Sequence, residues 1–132
     1  MKFSRQSRLL KAAEFKSVFQ HPIRSGDESF RLLARTNEIQ RHRLGMAVAK
    51  KVCAKAVGRN RIKRIVRESF RHVMAGHSPK NALDIVVMPT ALAANQSNKT
   101  LDDSLLAHWH RLITKADNRS SVKQQDRPRT QR

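Results

Sequence analysis

Apolar residues recur along this chain with two periods, and the switches between them mark its elements. Phe15, Val18 and Phe19 lie within one turn of each other in the stretch 11–20 and predict a short first helix. The stretch 21–27 reads as loop from its proline, glycine and serine. From Ser29 to Thr36 the period drops to two, with Phe30, Leu32 and Ala34 on one side and Arg31, Leu33 and Arg35 on the other. After a polar turn, Leu44, Met46 and Val48 alternate with Gly45, Ala47 and Ala49. Two strands joined by so short a link predict an antiparallel hairpin. The small residues would then form a shallow floor beside Arg31, Leu33 and Arg35, able to admit an extended chain.

Helical spacing returns at Ile62, Ile65, Val66, Phe70 and Val73, which share one arc of a helix running from about Gly58 to Met74 and stopping before Gly76-His77-Ser78-Pro79. Leu83 to Met88 is a β-branched run ended by Pro89, hence a buried third strand, and 91–99 is a polar loop. Thr100-Leu101-Asp102-Asp103 has the form of a capping box, and Leu101, Leu105, Trp109, Leu112 and Ile113 predict a last amphipathic helix to about Ala116. The expected fold is α+β, a single-domain α/β sandwich of order α-β-β-α-β-α over residues 9–116. A loose basic arm (1–8) precedes it, and a disordered basic tail (117–132) follows.

Charge changes this picture more than any other property. The chain carries 28 Lys and Arg against 10 Asp and Glu, a net charge of +18, which points to a polyanionic partner. The excess concentrates on the central helix, where Asn60, Lys63, Arg64, Arg67 and Arg71 fall on an arc away from the apolar one and Arg59 and Arg61 flank it. Like charges at i, i+3 and i+4 repel by a few tenths of a kcal/mol per pair, a cost that phosphates would offset. No apolar run approaches the roughly 20 residues of a membrane span, so no membrane partner is expected. A single cysteine, Cys53, excludes an internal disulfide and suits a reducing, cytoplasmic setting.

Catalytic chemistry is not legible. The ten acids are scattered, and the adjacent pairs Asp27-Glu28 and Asp102-Asp103 sit in loop and cap contexts, so nothing resembles the converging carboxylates of a two-metal nuclease. His108 and His110 point to different sides of a helix, and no histidine has a partner at zinc spacing. No catalytic residue and no protein-borne metal site is expected. Phe15 and Phe19 keep two readings, as ordinary core or as the wall of a groove for unstacked bases.

Arg59-Asn60-Arg61-Ile62-Lys63-Arg64-Ile65-Val66-Arg67-Glu68 resembles the signature of the protein subunit of bacterial ribonuclease P, and Leu44 to Val52 resembles the strand leading into it. Leu10-Lys11, Glu14-Phe15 and Val18-Phe19 are similar to that family's first helix, and Asp84 to Val87 to its later strand. The resemblance covers about residues 8–115. It implies an accessory subunit of the ribonucleoprotein endoribonuclease that removes the 5′ leader from precursor tRNA, with catalysis and Mg²⁺ belonging to the RNA subunit. It implies contact with the catalytic RNA by Arg59, Asn60, Arg61, Lys63, Arg64 and Arg67. Phe15, Phe19, Arg31, Leu33 and Lys51 would face the single-stranded leader, although an aromatic is common in relatives where Leu33 stands. The resemblance also implies a left-handed strand–helix–strand crossover, against the usual rule, and no DNA partner. Two rivals remain open on residues alone: a ribosome- or rRNA-associated protein, and a protein-only nuclease.

Overall fold

A computed structural model of the chain describes residues 12–20, 22–75 and 81–129, with the side chains of the last helix described to Asn118. The expected basic arm 1–8 and the predicted helix stop at 76–79 lie outside the described residues. The element order is α1 (Ala12–Val18), β1 (Ile23–Gly26), β2 (Phe30–Thr36), β3 (Arg43–Met46), α2 (Ala56–Phe70, continued by a wider turn over Arg71–Ala75), β4 (Leu83–Pro89), a 3₁₀ turn (Ala91–Asn95) and α3 (Asn98–Arg129). The fold is a single mixed α+β domain, with one more strand than the sequence pattern predicts.

That strand, β1, lies in the stretch read as loop. Its four residues alternate buried and exposed, and pair Ile23 with Ala34 and Gly26 with Arg31. Burial of Ile23 and Ser25 decides the conformation over the local turn-forming composition. The sheet order is β1-β2-β4-β3, with β1–β2 and β2–β4 antiparallel and β3–β4 parallel. The expected β2–β3 hairpin is therefore incorrect: β4 lies between those strands. As the most apolar strand, β4 is buried along nearly its whole length and takes a central place, leaving the shorter β3 at the edge. The expected alternation survives in β2, where Phe30, Leu32 and Ala34 are buried, whereas the expected second strand ends at Met46, leaving Ala47, Val48 and Ala49 outside it. Leu33, Val86 and Gly45 are aligned across three strands, so Gly45 of the expected small-residue floor shares a face with Leu33 and Arg31 but is separated from them by β4.

On the opposite face, Phe30, Leu32, Ala34, Leu44, Ile85 and Val87 meet Ile62, Val66, Phe70 and Met74 of the α2 segment and Leu101, Leu105, Trp109 and Leu112 of α3. Trp109 packs edge-on to Phe70, ring centroids 5.8 Å apart, and donates from Nε1 to Ser69 Oγ at 2.8 Å, so its polar atom is satisfied inside the core. Ile65, Val73 and Ile113 are only partly buried at the margins of this core. The α3 helix begins earlier than the capping-box pattern predicts. Ser97 Oγ accepts the Thr100 amide at 3.1 Å, which makes Ser97 the cap. At its other end α3 continues to Arg129, where the sequence predicts a disordered tail from 117. The sequence there lacks an apolar stripe, but Lys, Arg and Gln remain good helix formers.

A polar latch joins the β1–β2 turn to α3. Asp27 Oδ1 accepts the amides of Ser29 (2.8 Å) and Phe30 (2.9 Å), and Oδ2 accepts from Ser104 Oγ (2.5 Å) and lies 3.0 Å from His108 Nε2. His108 Nδ1 meets Ser25 Oγ at 2.6 Å. Burial pushes the His108 imidazole below its ordinary value, against the opposing pull of Asp27. Partial burial acts to raise the Asp27 carboxyl, but the bonds from Ser104, Phe30, Ser29 and His108 outweigh it and hold the group at about 2.

Both groups bind protons more readily in the unfolded chain, so stability is expected to fall with acidification in two stages. The first, from His108, begins as pH drops below about 6.5. The second, from Asp27, begins below about 4 and is complete as pH passes its native value of about 2. Urea midpoints measured across this range should show the upper stage in the native protein and not in His108→Gln; superimposable pH profiles would contradict the assignment.

Candidate nucleic-acid interface

The α2 helix presents two kinds of cation. Arg59 and Arg61 are tied to the domain itself. Arg59 Nη1 donates to the carbonyls of Cys53 (2.9 Å) and Ala54 (2.8 Å), drawing the turn that carries Lys50 and Lys51 onto the start of α2. Arg61 donates from Nε to Asn98 Oδ1 at 3.0 Å and from Nη2 to the Gln96 carbonyl, fixing α2 to the first turn of α3. Asn60, Lys63, Arg64 and Arg67 have no hydrogen-bond or ion-pair partner among the described residues; Asn60 and Arg64 are exposed, and Lys63 and Arg67 half-buried. Arg59 uses one of its nitrogens internally and keeps other donors for a second partner.

The start of α2 adds to this field. Lys55 stands at the N-cap without a side-chain cap, and the first turn holds no acid, so the free amides and the positive end of the helix dipole face the same side as the basic turn. Close packing makes the arrangement possible. A β-carbon on Gly58 would lie 2.3 Å from Cys53 Sγ, so glycine here lets the turn lie directly against the helix. Cys53 thus acts as a packing residue.

The second part of the interface lies across the sheet. Val18 of α1 is buried on Val86, with Phe15, Leu33 and Met88 packed around them. Arg43 fastens α1 to this face. Its Nε and Nη2 donate to the two Asp84 carboxylate oxygens at 2.8 and 2.7 Å, and its Nη1 donates to Glu14 Oε2 at 2.6 Å. Asn37 Nδ2 also donates to Asp84, at 2.7 Å. Arg35 Nη1 donates to the Ser17 carbonyl at 2.9 Å near the end of α1.

Beside this apolar strip, Arg31 stands opposite Met88 and Arg24 opposite Leu33, both exposed. Of the expected leader residues, the structure brings Phe15, Leu33 and Arg31 to one face. Phe19 is 49% exposed just past α1, and Lys51 is exposed in the turn before α2. Phe15 therefore has a packing role, whereas Phe19 is free to stack. Sequence reasoning missed Arg24, Met88 and the Arg43–Asp84–Glu14 clamp. No local signal would have placed Arg24 on the cleft face, because it is pairing with β2 that makes a strand of Ile23–Gly26 and buries Ile23 and Ser25 on the other side.

A family model for ribonuclease P matches residues 3–113. The chain belongs to the ribonuclease P protein family. Among relatives of this family, the ribonuclease P protein component of Aliivibrio salmonicida (strain LFI1238) is 46% identical over 110 residues, covering 83% of this chain and 92% of the relative. That of Methylococcus capsulatus (strain ATCC 33009 / NCIMB 11132 / Bath) is 40% identical over 119 residues, covering 90% and 91%. Among solved structures, the Staphylococcus aureus ribonuclease P protein superposes with a TM-score of 0.68 at 31% identity, over 76% of this chain and 90% of that one. The Thermotoga maritima ribonuclease P protein gives 0.66 at 32% identity, over 76% and 92%.

Proposed function

We infer that this ribonuclease P protein is the accessory, non-catalytic subunit of a ribonucleoprotein that removes the 5′ leader from precursor tRNA, and that it divides its two surfaces between two RNAs. The observation that carries the function is the family match over residues 3–113. The free face of α2, with Asn60, Lys63, Arg64 and Arg67, docks on the catalytic RNA, and Arg59 and Arg61 shape that face while offering their remaining donors. Arginine suits the task because its planar fork takes phosphate in two bonds and stacks on bases. The cleft between α1 and the sheet holds the leader as an extended single strand, with Phe15, Phe19 and Leu33 as apolar wall and Arg31, Arg24 and Lys51 meeting phosphates.

Among the described residues no three His, Cys, Asp or Glu side chains gather as metal ligands. Mg²⁺ is assigned to the RNA partner on the family resemblance, and no step is routed through an ion on the protein. Cations placed between two RNAs screen phosphate repulsion, and this lowers the Mg²⁺ the complex needs. The β3–α2–β4 connection is read as left-handed, as the family resemblance implies, and the compartment as the cytoplasm.

The test is reconstitution of the protein with the catalytic RNA at low Mg²⁺, assaying leader removal. Stimulation by the native protein supports the reading; none at any protein concentration rejects it. A Staphylococcus aureus relative is described as a mutant with defective mRNA degradation activity, which prompts a second reading in which the protein itself degrades RNA. Cleavage by purified protein with no RNA partner present would support that alternative.

Phe19→Ala is expected to weaken binding of precursor tRNA about tenfold, from the loss of roughly one stacked base, while leaving mature tRNA binding and the urea midpoint unchanged. Phe15→Ala should lower both leader binding and stability. Equal loss of precursor and mature tRNA binding in Phe19→Ala would show that this aromatic does not touch the leader.

A further inference from the structure

Cations line the outer edge of β1 from both faces of the sheet. The Arg24 side chain is exposed on the cleft face, opposite Leu33. Its carbonyl points outward from the sheet edge, because the Asp27 amide donates to the Phe30 carbonyl at 3.0 Å and bonding alternates along an antiparallel pair. From the opposite face, Lys115 Nζ donates to that carbonyl, and Arg111 Nη1 donates to Ser25 Oγ at 3.3 Å. Both α3 side chains are exposed, and each keeps donors for a second partner. Protection of an edge strand accounts for Lys115, which covers an outward backbone group. It does not account for Arg111 or Arg24, whose side chains cover none.

The fold also sets the direction of an extended strand lying in the cleft. Behind the sheet, α2 packs against β3, and α3 against β1 and β2. The face of α2 assigned to the catalytic RNA, and Lys51 in the turn before it, therefore lie on the β3 side. Leader removal belongs to that RNA, so the leader enters the cleft from the β3 side and its 5′ portion runs toward β1. The α1 helix sits on Val86 in the middle of the face. The way across is then the strip past Met88 and Arg31, which stand opposite one another on adjacent strands. From β3 to β1 the sheet spans three strand spacings, about 14 Å, which a few extended nucleotides cover. Beyond that strip come Arg24 and, over the edge, Lys115 and Arg111. Asp27 and Glu28 in the adjoining β1–β2 turn repel phosphate and keep the crossing at Arg24.

We propose that Arg111 and Lys115 extend the leader path: nucleotides upstream of those in the cleft pass over the edge of β1 at Arg24 and lay their phosphates against these two side chains of α3. This inference rests on the reading of the cleft as the leader site. The contact is with the backbone, so it favours long leaders over short ones whatever their sequence.

The test measures binding of precursor tRNA to the holoenzyme, reconstituted from the catalytic RNA and the full chain, with a leader too short to cross the sheet and with a long one. The native holoenzyme should bind the long-leader form more tightly. In Arg111→Gln/Lys115→Gln that advantage should fall about five- to tenfold, the effect of two exposed charge contacts. The salt slope for the long leader should shrink in magnitude by about 1.4, with the short-leader form bound as before. Arg111→Lys/Lys115→Arg alters the same bonds to β1 but keeps both charges, so it should retain the advantage. Equal loss in the two variants would show that those bonds matter and not the charges, and would overturn the proposal. An undiminished advantage in the glutamine variant would overturn it too, as would a native holoenzyme indifferent to leader length. Equal weakening with both leaders would place the two cations on the catalytic RNA instead. A native holoenzyme with no preference for precursor over mature tRNA would reject the leader reading itself.

Discussion

Replacing Arg64 and Arg67 together with alanine is expected to reduce affinity for the catalytic RNA by about 3 kcal/mol or more, at least a hundredfold, since each charge-assisted hydrogen bond contributes about 1.5–3 kcal/mol. The two side chains have no partner among the described residues, and they stand on the face of α2 away from Ile62, Val66 and Phe70. Their removal leaves no buried group unsatisfied, so the urea midpoint should stay within about 0.5 kcal/mol of the native protein or rise slightly as repulsion is relieved. Titration with the catalytic RNA over a salt series should show the slope of log K against log salt reduced in magnitude by about 1.4 to 1.8. Loss of affinity with an unchanged slope would mean that the pair acts through something other than phosphate contact. The same substitutions should leave the discrimination between precursor and mature tRNA intact, because that discrimination is assigned to the cleft.

Asp84→Ala should have the largest effect on stability. Asp84 is nearly buried and accepts two bonds from Arg43 and one from Asn37, and the Arg43 side chain is only 14% exposed. Removing the carboxylate strands a guanidinium with Glu14 as its remaining acid, and breaking such a pair costs about 3–5 kcal/mol. Urea unfolding of Asp84→Ala, of Arg43→Met and of the double variant would measure it, with the double variant expected to lose less than the sum of the singles. Strict additivity would contradict the coupling. The damage has a functional direction as well. Arg43 joins the sheet to Glu14 of α1, so the cleft should loosen before the α2 face does. In conditions where Asp84→Ala remains folded, leader binding should suffer more than docking on the catalytic RNA.

The clamp also shows how far the sequence can be read. Glu14, Arg43 and Asp84 are far apart in the chain and lie in three different elements, so no local spacing could have linked them. The cationic face of α2 was legible because both its components obey one period: Ile62, Val66 and Phe70 turn inward, which forces Lys63, Arg64 and Arg67 outward. The cleft was legible in part. Alternation put Arg31 and Leu33 on the same side of β2, but which strand lay beside them depended on pairing. The β2–β3 hairpin looked sound locally and was wrong, because the apolar strand β4 gains more burial between those two strands than at an edge. Arg24 was hidden for a related reason, since pairing with β2 made a strand of a sequence that reads locally as a turn.

By itself, then, the amino-acid sequence determined the helical faces, the alternation of β2, the excess of positive charge and the signature of the family, all of which depend on residues close together in the chain. Tertiary structure alone decided the order of strands, the separation of tied arginines (Arg59, Arg61) from free ones (Arg64, Arg67), the docking of α1 by Arg43, and the Asp27–His108 latch. Those features come from competition among distant segments for burial and for hydrogen-bond partners, which becomes definite only once the chain has folded.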